Sequence, residues 1–138
     1  MSKVLYAQSN GTVAVVTPAT GVSTATIQSK VVPSGTASVV VADSIVPVDR
    51  TFRDAWELSG STITVDLVKA KAIATANIRE TAVAAAKISA NQTALSETVT
   101  HVLATIYSAH GTAKAAIAGA ANVATVKTLM DTFINTYS

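Results

Sequence analysis

The chain has 138 residues, a net charge of +2 and no cysteine, which bounds it to one or two small domains and excludes disulfides and thiolate metal sites. Only 13% of residues are charged and the basic ones are scattered, so no clustered basic face points to nucleic acid as a partner. With 49% hydrophobic residues the chain is too apolar for a disordered segment.

The opening residues, MSKVLYAQSNG, hold a lysine but no apolar core or cleavage site of a signal peptide. Apolar runs such as Val39–Ala42 are far too short to span a bilayer, so no membrane partner is expected. Composition then changes near residue 65. All three prolines and four of the six glycines precede it, and alanine dominates after it. The chain therefore reads as α+β. A small antiparallel β-hairpin module, a docking module over about residues 1–65, precedes an Ala-rich helical region over 66–138. The helices are expected at about 67–89, 92–109 and 123–137.

Lys3–Ala7 and Thr12–Thr17 flank Asn10-Gly11, a strong hairpin signal. A two-residue loop there sets Tyr6 opposite Val15 and Leu5 opposite Val16. Pro18 ends the second strand, because it has no N–H for a ladder. Ser23–Lys30 suits a short helix, and Pro33-Ser34-Gly35 a turn. Ala37–Ala42 reads as a buried strand, with Val39, Val40 and Val41 in succession. In the stretch Asp49–Val65, Ser59-Gly60 suits a second hairpin turn that places Trp56 across from Ile63.

Asp66 is a good cap for the first long helix. Its larger aliphatics Val68, Ile73, Ile78, Val83 and Ile88 recur every five residues and advance about 140° per step, so they wind around the helix. A helix apolar on several sides is buried or wrapped by partners. Val68, Ile73, Ile78 and Val83 are thus the candidate partner-binding residues. Next, Leu95, Val99, Val102, Leu103, Ile106 and Tyr107 follow one helical stripe, with Gly111 as its stop. Asn122 caps a last helix whose Val123, Val126, Met130, Phe133 and Tyr137 follow a 3-4-3-4 spacing. The two together read as an antiparallel helical pair.

Chemistry-bearing patterns are few. His101 and His110 lie nine residues apart without a nearby carboxylate pair, which does not give zinc spacing, so no metal is expected. No G-x-S-x-G elbow surrounds any serine and no glycine-rich phosphate loop occurs, so neither a catalytic site nor a cofactor or small-molecule substrate is expected. Asp49–Glu57 gathers three carboxylates, Arg50, Arg53, Phe52 and Trp56. As an enzyme site its carboxylates would need free acid–base chemistry, but neighbouring arginines hold them ionised. The favoured reading makes the four named residues structural anchors. Phe52 and Trp56 plug the core, and arginine–carboxylate pairs lock the start of the strand.

The run VPVDRTFRDAWELSGSTITVDLVKAKAIATANIR, residues 46–79, resembles a family of short tailed-bacteriophage proteins. Members share a pattern close to "(V/I)P-x-DRTFR-x-AW", a turn, then "VD-x-x-KA-x-x-I" and a helix ending in "IR". The matching residues are Pro47, Asp49–Arg53, Ala55, Trp56, Val65, Asp66, Lys69, Ala70, Ile73, Ile78 and Arg79. Tyr6, Gly11, Val13 and Pro18 are similar to the family's opening, so the resemblance covers residues 1–79. Beyond it the helical half departs, being Ala/Thr-rich where the family is rich in Lys, Arg and Glu. The family's genes sit among virion and tail-fibre genes and bring no catalytic residues. The resemblance implies a virion structural protein, a tail-, fibre- or baseplate-associated subunit made in the host cytoplasm and incorporated in the virion. Its expected partners are other virion proteins or further copies of itself. The alternatives are a tail-fibre assembly chaperone, whose small β module followed by helices is similar, and a head decoration protein, to which the low charge is suited and the helical half is not.

Overall fold

In the computed structural model, which describes residues 1–138, the alternation around Asn10-Gly11 folds as a hairpin of β1 (Ser2–Ala7) and β2 (Val13–Val16). Its register pairs Leu5 with Val15 and Tyr6 with Ala14, which corrects the expected Tyr6–Val15 and Leu5–Val16 pairs. The loop accounts for the shift. Gly11 donates its N–H to the Gln8 carbonyl at 3.0 Å and takes φ +84°, while the Gln8 N–H donates to the Thr12 carbonyl at 2.8 Å. This is a three-residue loop with the left-handed residue last, for which Asn-Gly is as well suited as for the two-residue turn. The shift has a consequence for packing, because a one-residue slip exchanges the faces on which side chains meet. Here Leu5 and Val15 share a face.

β3 (Ser38–Ala42) pairs antiparallel with the other side of β1, Leu5 opposite Val39, giving the order β2-β1-β3. The valine run is therefore an edge strand and not the buried strand expected. Val41 is enclosed, whereas Val40, on the opposite face, is 44% exposed. The strand covered on both faces is β1, where the consecutive residues Val4 and Leu5 are both fully buried. The Val4 face is served by α1 (Thr24–Lys30), which packs on β1. The Ser23 hydroxyl caps it by accepting the Thr26 N–H at 3.1 Å. Gln28 Nε2 donates to Ser38 Oγ at 3.0 Å, tying the helix to the edge strand.

The second hairpin joins β4 (Trp56–Ser59) to β5 (Thr62–Val65). Its central residues are Gly60-Ser61, one position later than expected. Gly60 takes φ +59° at the first central position, where the II′ turn requires it. Trp56 therefore faces Val65 and Leu58 faces Ile63, so the expected Trp56–Ile63 pair is corrected to a diagonal one. Trp56 is only 1% exposed and packs with Leu5, Val13, Val41 and Val46 as the core of this unit.

The approach to β4 is ordered by Asp49 and Phe52. Asp49 Oδ1 accepts the Thr51 N–H at 3.0 Å and the Thr51 hydroxyl at 2.6 Å, an Asx-type turn, and Phe52 is buried. Arg50 and Arg53 are exposed and take no part in these bonds. The chain divides into two compact units, Met1–Asp66 and Leu67–Ser138.

The second unit is three helices, α2 (Leu67–Ala94), α3 (Leu103–Ala118) and α4 (Val123–Tyr137), each packed on the other two. α2 runs past residue 89, and the expected helix at 92–109 is replaced by its last turn, a connection and the start of α3. Serine at position 96 closes α2 with φ +57°. Its N–H donates to the Thr93 carbonyl at 3.1 Å, and the Glu97 N–H donates to the Gln92 carbonyl at 2.8 Å. These two bonds are the Schellman motif, with serine where glycine is usual. Gln92 also holds the connection through its side chain, which accepts the Thr100 N–H and donates to the Thr100 hydroxyl, both at 3.0 Å.

Gly111 does not stop a helix. It lies inside α3, which continues through Thr112–Ala118 to a cap at Gly119. With no partner groups to close the helix at residue 111, the packing of Ile106 and Ile117 on either side carries it through. In α4, Asn122 Oδ1 accepts the Thr125 N–H at 2.8 Å, and Val126, Met130 and Phe133 are buried. None of the helices is long and apolar enough to cross a membrane.

The buried face of α2 is Ala70, Ala74, Ile78, Ala82, Ala85 and Ser89, steps of three or four residues that make one stripe. Alanine has the highest helix propensity and loses no side-chain entropy on burial, so a face of alanines lets α3 and α4 approach closely at little cost. The core of this unit is therefore small residues on α2 against Ile106, Ile117, Met130 and Phe133.

Candidate interaction surface

The winding aliphatics of α2 divide between core and surface. Ile78 is fully buried among the helices of its own chain, which corrects its expected role as a partner contact. Ile73 is half-buried, Val83 is 39% exposed and Val68 is 77% exposed. Steps of about 140° cannot keep four residues on one face, so the intrachain core takes one and leaves others outside. Of the expected anchors, Phe52 and Trp56 are enclosed, and Arg50 and Arg53 lie on the surface.

Val83 opens into a groove of about 440 Å³ between α2 and α3. From α2 come Arg79, Ala82, Val83, Ala86, Lys87 and Ala90; from α3 come Leu103, Tyr107 and His110. Positions 79, 83, 86 and 90 recur at helical spacing on one side of α2, as do 103, 107 and 110 on α3. The floor is apolar, and the α2 wall carries two cations, Arg79 at its start and Lys87 one turn before Ala90. Leu103 and Tyr107 remain 37% and 61% exposed. Such a trough matches the way an amphipathic helix lays its apolar face between two others.

Leu103 and Tyr107 belong, by the sequence pattern, to the stripe that α3 turns toward its neighbours. The stripe actually buried runs through Ile106, His110, Ala113 and Ile117, with the middle two half-buried. At 100° per residue, Leu103 and Tyr107 stand roughly 60° and 100° away from Ile106. That offset is the sequence signal for the groove, once Ile117 is admitted to the helix.

Both imidazoles meet aromatic rings. His101 lies 4.9 Å from the Tyr137 ring centre, and His110 meets the Phe133 ring edge-on at 6.2 Å. His110 Nε2 is buried without a hydrogen-bond partner at the inner wall of the groove. No three His, Asp or Glu side chains gather into a metal-binding group. The arrangement offers shape, apolar area and positive charge. Comparison of the chain with family models, with curated proteins and with solved structures finds no match.

Proposed function

We propose that the chain is a structural subunit of a tailed-bacteriophage virion, associated with the tail, fibre or baseplate, that acts through protein–protein contacts and not by catalysis. The observation that carries the contact role is the groove between α2 and α3, where Val83, Leu103 and Tyr107 stay open to solvent beside buried apolar neighbours. Exposed apolar area gathered in a concave site marks interaction surfaces on proteins of this size. The phage setting rests on the resemblance of residues 46–79. Its partners are other virion proteins or copies of itself, and its destination after synthesis in the host cytoplasm is the particle.

A tail-fibre assembly chaperone is the second reading, favoured by the small β module preceding the helices. Mass spectrometry of purified particles of the encoding phage separates the two. Recovery at a constant stoichiometry supports the subunit. Absence from particles, together with co-purification on an unassembled fibre protein, supports the chaperone and overturns the subunit.

A further inference from the structure

We infer that the α2–α3 groove receives an acidic amphipathic helix of a different protein, its apolar face on Val83, Ala86, Leu103 and Tyr107 and its carboxylates against Arg79 and Lys87. The inference rests on the reading of the chain as one that works by protein contacts, and it specifies the chemistry of the partner.

Charge decides the occupant. Arg79 and Lys87 border the apolar floor, both are exposed, and neither is in an ion pair of this chain. The neighbouring Glu80 is not among the groove-lining residues, so the groove presents two positive charges and no negative one. Eight residues of helix separate those charges, about 12 Å at 1.5 Å per residue. A docked helix with carboxylates two turns apart meets both at once. The floor supports the same occupant, because Ala82, Ala86 and Ala90 leave room for another backbone to approach.

A second copy of this chain fits poorly. Symmetric pairing of a groove with its own copy is two-fold. With α2 helices antiparallel about Val83, Arg79 of one copy faces Lys87 of the other. With the helices parallel, Arg79 faces Arg79 and Lys87 faces Lys87. Either arrangement sets like charges together at both ends of the contact, which disfavours a partner strongly.

Two synthetic peptides test this on the full chain. Each has about 18 residues, five helical turns, of alanine and leucine on one face. One carries glutamates two turns apart, and its sister carries lysines there. In ¹⁵N spectra the acidic peptide is expected to shift the amides of Ala82, Val83, Ala86, Leu103 and Tyr107, less so as salt rises. The lysine peptide is expected to leave them unmoved. The double variant Arg79→Glu/Lys87→Glu, at two exposed positions, should keep the helical circular dichroism. Its affinity for the acidic peptide should fall about tenfold and its preference should turn to the lysine peptide. Equal binding of the two peptides, binding by neither, shifts mapping elsewhere, or a dimer in sedimentation that buries these same residues would each overturn the inference. Absence of the chain from virions would remove the virion reading and leave this result standing.

Discussion

Trp56 stands directly across the β4–β5 ladder from Val65, and its ring lies in the same enclosed cluster as Leu5 of the central strand. One side chain thus joins a two-stranded ribbon, unstable alone, to a three-stranded sheet. Trp56→Ala is expected to cost about 3–5 kcal/mol, the range for truncating a buried large aromatic. Urea unfolding followed through amide exchange of residues 1–66 measures it, and Trp56→Phe should recover much of the loss.

Ile78 and Val83 are five residues apart on α2 and should respond oppositely to charge. Ile78→Glu places a carboxylate where exposure is zero and should abolish cooperative unfolding of the helical unit. Val83→Glu, at a 39% exposed position, should leave thermal unfolding within about 0.5 kcal/mol of the parent. Circular dichroism melts of the two variants side by side make the comparison.

Two residues are misplaced for backbone preference. Gly111 sits inside α3, where an added Cβ meets nothing within 4 Å, and Ser96 holds φ +57° at the end of α2. Gly111→Ala should stabilise by about 0.5–1 kcal/mol through lost unfolded-state freedom. Ser96→Gly should stabilise by a similar amount, about 0.5–1 kcal/mol, by removing the Cβ penalty of the left-handed conformation. The sites lie in different helices, one inside α3 and one at the end of α2, so their effects should add in chemical denaturation.

Asn122 supplies the first-turn bond of α4 through its side chain. Asn122→Ala should cost about 1 kcal/mol, and Asn122→Asp should keep the cap with a small gain from the helix dipole. Denaturant midpoints at neutral pH report both.

Turn residues announced both hairpins, and the division at residue 66 followed the change from proline and valine to alanine. Register was less legible. Asn10-Gly11 serves a three-residue loop as readily as a two-residue one, and a single glycine at 60 fits either central position until its φ is known. Glycine alone does not mark a helix boundary, since Gly111 lies inside α3 between the buried Ile106 and Ile117. On α2 the large aliphatics do not mark the buried face. Burial there follows the alanines, whose small size lets helices come close, while Val68 and Val83 lie outside. The groove was half visible: Val83 emerged from the winding pattern, but Leu103 and Tyr107 could be separated from the core only once α3 extended to Ile117.

The alanine face of α2 also bears on how the three helices find their axial alignment. Small side chains every four residues form a nearly smooth track that looks alike after each turn, about 5.4 Å along the axis. Interlocking knobs normally forbid such sliding. On this track Ile78 is the one large projection, between Ala74 and Ala82. It works as a peg in a rail, setting where α2 halts against α3 and α4. The faces that Arg79, Val83 and Lys87 present beside Leu103 and Tyr107 are held in line by that same peg.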